Sequence, residues 1–153
     1  MRRLRSRGVL IGGVSALSLM VSAAVAGGVV GGGYKGHTAQ KCLAGQRGCT
    51  RGHEPVTFRI SGGAVRNFKF SVKDRCPDGH TLLVTASGYP PMHITNGKFG
   101  GTFRPAHGAT GEGSVIKGTI SGRRVTGSVK DTSLSHRENR LCHGRTTFTA
   151  KHR

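Results

Sequence analysis

The chain has 153 residues, 26 of them glycine and none tryptophan, and its 24 Lys+Arg against six acids give a formal charge of +18. That length excludes two domains once a leader segment is set aside. So one-sided a charge bears on partners and solubility rather than on fold, and it makes polyanions the natural partners: teichoic or nucleic acids, acidic polysaccharides, anionic lipid surfaces.

Residues Met1 to Gly8 carry Arg2, Arg3, Arg5 and Arg7 with no acid, and Val9 to Val25 holds no charged residue. A basic stretch, an apolar stretch and a small-residue site make a secretory signal peptide over residues 1–26, with Ala24-Val25-Ala26 as the cleavage site. The alternative is an uncleaved anchor, since uncharged residues continue through Tyr34. Gly27, Gly28 and Gly31 to Gly33 dilute that run, so cleavage and no remaining membrane segment are expected. Losing four arginines leaves 20 Lys+Arg against six acids, a net of +14.

Residues 27–54 read as a Gly-rich basic linker, too poor in apolar side chains to build a core and flexible outside one small loop. That loop is Cys42 to Cys49, C-L-A-G-Q-R-G-C. Four cysteines behind a signal peptide imply disulfides, and four allow three pairings. Cys42–Cys49 with Cys76–Cys142 is favoured: one closes a short glycine-containing loop, the other joins the two ends of the compact region.

From Pro55 the period becomes two. Phe58 and Ile60 alternate with Thr57, Arg59 and Ser61, and Phe68, Phe70 and Val72 with Asn67, Lys69, Ser71 and Lys73. These are half-buried strands, apolar side chains inward and basic ones in water, parted by a turn at Ser61-Gly62-Gly63. Pro77-Asp78-Gly79 turns into the apolar run Thr81 to Ala86, which Gly88-Tyr89-Pro90-Pro91 breaks. Asn96-Gly97 is a two-residue hairpin turn. In V-I-K-G-T-I-S-G-R-R-V-T-G-S-V-K a turn at Ser121 to Arg124 pairs Ile120 with Val125, Gly118 with Gly127 and Ile116 with Val129. Opposed glycines suggest a crowded spot filled by a neighbouring aromatic ring. A polar loop, Asp131 to Arg140, precedes a last strand with Cys142, Thr146, Phe148 and Ala150 at one parity. No segment has a sustained helical period. The expected fold is all-β, an antiparallel sandwich or barrel of about eight short strands over residues 55–153, after the N-terminal signal segment.

The elements F-R-I-S-G-G-A-V-R-N-F-K-F-S-V, C-P-D-G, I-T-N-G-K-F, G-T-I-S-G-R-R-V-T-G-S-V and C-H-G-R-T-T-F-T-A stand in that order. Together they resemble small secreted bacterial β-sandwich proteins of unknown function, over about Val56 to Lys151. The resemblance implies a β fold and a bridge between Cys76 and Cys142. It implies no activity, and the Cys42–Cys49 loop lies outside it.

Catalytic, cofactor and metal motifs are poorly represented. Gly28 to Lys35 has glycines ahead of a lysine, but Tyr34 intervenes and no Ser/Thr follows, so no phosphate-binding P-loop is expected. Gly111-Glu112-Gly113 reads as a turn. His53, His80 and His143 lie near cysteines, yet no C-x-x-C pair offers zinc its close-spaced ligands. Cys142 and His143, neighbours on a strand, face opposite ways and cannot form a thiol–imidazole pair. Asp74 and Asp78 flank Cys76 and read as turn or capping residues rather than a glycosidase pair. Phenylalanines interleaved with basic residues would suit a nucleic-acid platform only if they shared the exposed face, and strand alternation sends them to the core. The expectation is a secreted or cell-envelope-associated, non-enzymatic β domain without cofactor. It would bind polyanions or anionic surfaces through Arg59, Lys69 and Lys73 on one outer face, with a small secreted hydrolase as the alternative.

Overall fold

The computed structural model describes residues 28–106, 110–137 and 139–153; the expected signal peptide over residues 1–26 lies outside them. The described chain is all-β: β1 (Gly32–Lys41), β2 (His53–Ser61), β3 (Ala64–Arg75), β4 (Thr81–Ala86), β5 (Met92–His93), β6 (Lys98–Phe103), β7 (Gly113–Ser121), β8 (Arg124–Ser135) and β9 (Arg140–His152). All neighbouring strands pair antiparallel, in the order β4-β3-β2-β1-β9-β8-β7-β6. The first strand lies between the second and the last, which rolls the meander into a barrel-like closure. The two ends of that order, β4 and β6, do not pair with each other, and the short β5 bridges toward the seam by pairing with Ala64 and Val65.

Local sequence accounts for the hairpins. Gly62 and Gly63 both have positive φ in the β2–β3 turn, as do Asn96 and Gly97 before β6; this is the geometry that matches a two-residue turn to strand twist. In the β7–β8 hairpin Ile120 faces Val125, Gly118 faces Gly127 and Ile116 faces Val129, the register read from the sequence. Phe99 stands over Gly118 and Phe148 over Gly127: a Cβ added at either glycine would lie 2.2 Å or 2.4 Å from ring carbon. The missing side chains therefore make room for two core rings.

The core is the barrel interior. Phe58, Ile60, Phe68, Phe70 and Val72 are buried, as their parity requires, with Tyr34, Met92, Phe99, Val125, Val129 and Phe148. Phe68 is central, its ring centroid 5.5 Å from Phe58, 5.6 Å from Phe148 and 6.4 Å from Phe99. Stacked and edge-to-face aromatics contribute about 0.5–1.5 kcal/mol per pair beyond burial. The disulfides are Cys42–Cys49 and Cys76–Cys142, as favoured above. The second clamps the end of β3, which bends to bridge Arg75 to His143, against β9.

The linker assignment for residues 27–54 is corrected. Gly32–Lys41 is a strand of the closed sheet, with Tyr34, Gly36 and Thr38 buried. Its inward positions alternate properly but hold one aromatic, one glycine and one threonine, so no apolar alternation marks it. The Cys42–Cys49 loop is likewise tied down: Gln46 Nε2 donates to Glu54 Oε2 at 2.8 Å, and Glu54 is fully buried.

Candidate functional site

Charge is sorted between the two faces of the sheet. Glu54, Asp74 and Asp131 are buried inside. Asp78 sits in the β3–β4 turn and Glu112 directly before β7, while Glu138 is outside the described residues. No acid of the described residues therefore projects from the outer faces of β1, β2, β3 and β9, or from β8 outside its buried Asp131.

Register aligns the outward cations. Lys69 of β3 faces Thr57 of β2, Thr57 faces Lys35 of β1, Lys35 faces Lys151 of β9, and Lys151 faces Arg124 of β8. The four cations are exposed and, at a strand spacing of about 4.8 Å, span roughly 19 Å in one cross-strand row. None of them pairs with a carboxylate among the described residues. A second outward pair, Arg59 opposite Arg66, lies beside this row. Like charges placed directly opposite destabilise a sheet, so the row is a cost to the fold.

Arg59, Lys69 and Lys73 all project outward, but they are not equivalent. Arg59 and Lys69 are exposed; Lys73 is half-buried, and its Nζ donates to the Lys41 carbonyl. The Lys73 backbone is also occupied, its N–H donating to Gln40 Oε1 at 2.7 Å while Gln40 Nε2 donates to its carbonyl at 3.2 Å. Lys73 thus anchors β1 to β3, which leaves Lys35, Lys69, Arg124 and Lys151 as the cations of the cross-strand row. Sequence reasoning missed Lys35 because β1 was read as linker, and missed Lys151 because only the β1–β9 pairing sets it beside Lys35.

A different chemistry collects at the seam. A cavity of about 500 Å³ opens between β4 and the end of β6, lined by Tyr89, Phe103, Ser114, Asp131 and Ser133, with Arg104 and Glu112 among its residues. The Tyr89 hydroxyl lies 2.8 Å from Ser114 Oγ, and Ser114 donates to Asp131. Ser133 Oγ lies 2.7 Å from both Asp131 Oδ2 and Asp74 Oδ2. A hydroxyl has one proton to give, so one carboxyl must donate to Ser133. Burial, opposed by the Ser133 hydrogen bond and reinforced by Asp131, raises Asp74 from 3.8 to about 7, which puts the proton on Asp74. Burial likewise pushes the Tyr89 phenol up to about 12. The expectation of a turn role for Asp74 is corrected: it continues the inward parity of Phe68, Phe70 and Val72. Asp78 does sit in the turn, where its Oδ1 accepts from the His80 N–H at 3.0 Å.

Cys76, His80 and Cys142 converge within 4.8 Å, but both sulfurs are committed to the disulfide and offer a metal no thiolate. His143 is exposed and Cys142 buried, on opposite faces of β9. Two disulfides with no free cysteine fit an oxidising, extracellular environment. No protein-family model, curated protein or solved structure matches the chain.

Proposed function

We propose that this chain is an exported, non-enzymatic β-barrel protein that binds polyanions through the outer face of β3-β2-β1-β9-β8. In this reading residues 1–26 are its signal peptide, and it belongs with the small secreted bacterial β proteins that it resembles. The observation that carries the reading is the row Lys69, Lys35, Lys151 and Arg124, exposed and unpaired in register across five strands. A fold that tolerates such repulsion gains stability when an anionic chain neutralises it, and counterion release then supplies the affinity. The rival, a small secreted hydrolase, has the seam cavity in its favour. There, however, Ser114 is held between a carboxylate and a phenol with no histidine in the network among the described residues, and Asp74 is fully buried.

The test is a matched pair of charge reversals. Lys35, Lys69 and Lys151 are changed to Glu in one variant; Arg104, Arg137 and Arg140, exposed elsewhere, in the other. Retention of both folded proteins is measured on an immobilised polyanion across a salt gradient. The first variant should elute at much lower salt, with the salt slope of binding reduced by about three. Equal losses would leave only diffuse charge and end the site reading.

A further inference from the structure

The outer face is not flat where the Cys42–Cys49 loop meets it. A cavity of about 250 Å³ lies there, and Lys35, Lys69, Arg153, Thr50, Thr57 and Ser71 line it, with Gly48 of the loop as part of its wall. No acidic residue of the described residues lines it. The three cations come from three places. Lys35 and Lys69 flank Thr57 from either side in the cross-strand row. Arg153 follows β9 and is fixed by its own N–H, which donates to the Gly33 carbonyl at 3.0 Å.

The hydroxyls are disposed to donate. Thr50 Oγ1 is buried and has no hydrogen-bond partner among the described residues, a state that costs stability unless an occupant satisfies it. Thr50 is itself pinned by reciprocal backbone bonds with His53, 2.9 Å and 3.0 Å long. Ser71, 6% exposed, lies 2.9 Å from Thr85 Oγ1. It can accept the Thr85 proton and keep its own for the cavity.

The geometry points to a discrete phosphate site: one phosphoryl group of an anionic polymer seats among Lys35, Lys69 and Arg153, under the disulfide-held loop, with Thr50 and Ser71 donating to its oxygens. Three cations and several hydroxyl donors around a small hollow suit a compact oxyanion with acceptor oxygens on every side. The inference rests on the polyanion reading and adds to it a saturable site of one per molecule. It also gives the Cys42–Cys49 loop a purpose, because without Gly48 and Thr50 the row of cations would lie on an open sheet.

The test titrates inorganic phosphate into the full folded protein and follows backbone amide NMR shifts, with inorganic polyphosphate as the polymer arm and chloride at equal ionic strength as the blank. One saturating transition should appear, centred on Thr50, Thr57, Ser71 and Arg153. Polyphosphate should shift the same amides at lower concentration. Thr50→Val removes the hydroxyl while preserving shape and charge, and should weaken phosphate binding about tenfold; Thr50→Ser should restore it. The double variant Cys42→Ser, Cys49→Ser should weaken it also, while the β7–β8 amides report an intact barrel. Shifts that never saturate, or that spread over basic residues generally, would overturn the phosphate site, as would unchanged affinity in Thr50→Val. Retention of the wild-type protein on the polyanion, sensitive to the Lys35, Lys69, Lys151 reversal, would then survive as the broader reading. If that reversal also changes nothing, both fail together.

Discussion

Asp74 shows how one side chain ties the stability of this barrel to pH. The carboxyl is fully buried, and Gly144 opposite has no side chain because a Cβ there would lie 2.0 Å from Asp74 Oδ1. In the folded protein the proton leaves near pH 7, in the unfolded chain near 3.8. Below pH 3.8 both states hold it, and its full contribution to stability is present. Between 3.8 and about 7 only the folded state keeps it, so that contribution is progressively lost as pH rises through the folded value. Asp74→Asn, which supplies a permanent N–H donor for Ser133, should remove this dependence. In urea unfolding between pH 5 and pH 8, the wild type should lose about 2 kcal/mol more than the variant. Parallel curves would mean that the proton shared through Ser133 is wrongly placed. Asp74 was legible, since it continues the inward parity of Phe68, Phe70 and Val72, whereas Asp131, expected to open a polar loop, lies within β8 and faces inward. The neighbouring Pro77-Asp78-Gly79 turn drew Asp74 into the wrong role.

At the scale of the element, β1 decides whether the meander closes. Gly36 is where it meets β9 most closely: a Cβ at this position would lie 1.8 Å from the Thr149 carbonyl oxygen and 2.5 Å from the Ala150 Cα, both backbone and unable to step aside. Gly33, three residues earlier on the same strand, has open space around it. Gly36→Ala should therefore cost about 3 kcal/mol and strip hydrogen-exchange protection from β1 and the end of β9, whereas Gly33→Ala should be near neutral. Similar effects at the two sites would mean that β1 does not close the barrel. The contrast with β7 and β8 explains what sequence can reveal. That hairpin is written in sixteen adjacent residues, Val115 to Lys130, with apolar parity and a turn, and its register is as read. The β1–β9 pairing joins Tyr34 to His152 across nearly the whole chain, and its inward Gly36 and Thr38 carry no apolar signal. Arg59 and Lys69 could be placed outward from parity alone; Lys35 and Lys151 could not be placed side by side until that long-range pairing was known.

For the whole molecule, segregating the strand-borne acids to the interior and cations to the outer face makes stability and binding oppose each other. Buried Glu54, Asp74 and Asp131 cannot neutralise the outer row, so Lys69, Lys35, Lys151 and Arg124 repel one another in the free protein. Their repulsion acts over distances comparable to the Debye length, about 10 Å at 0.1 M salt, and is screened as ionic strength rises. Thermal stability should therefore climb with sodium chloride from low salt, the reverse of a surface held by ion pairs. A bound polyanion should stabilise more than its ionic strength alone, by about 2.7 kcal/mol at a hundredfold excess over Kd, because it binds only the folded state. The Lys35, Lys69, Lys151 reversal to Glu separates the two effects. In dilute buffer without ligand it should melt higher than the wild type, since the carboxylate at position 151 faces Arg124 and the net positive charge falls, while positions 35 and 151 merely exchange one like-charge pair for another. With polyanion it should gain nothing. Scanning calorimetry of both proteins, at low salt, at high salt and with inorganic polyphosphate, would display that crossing. A reversal that melts lower everywhere would show that the lysine row contributes packing rather than repulsion. A reversal still stabilised by polyphosphate would move the binding surface elsewhere on the barrel.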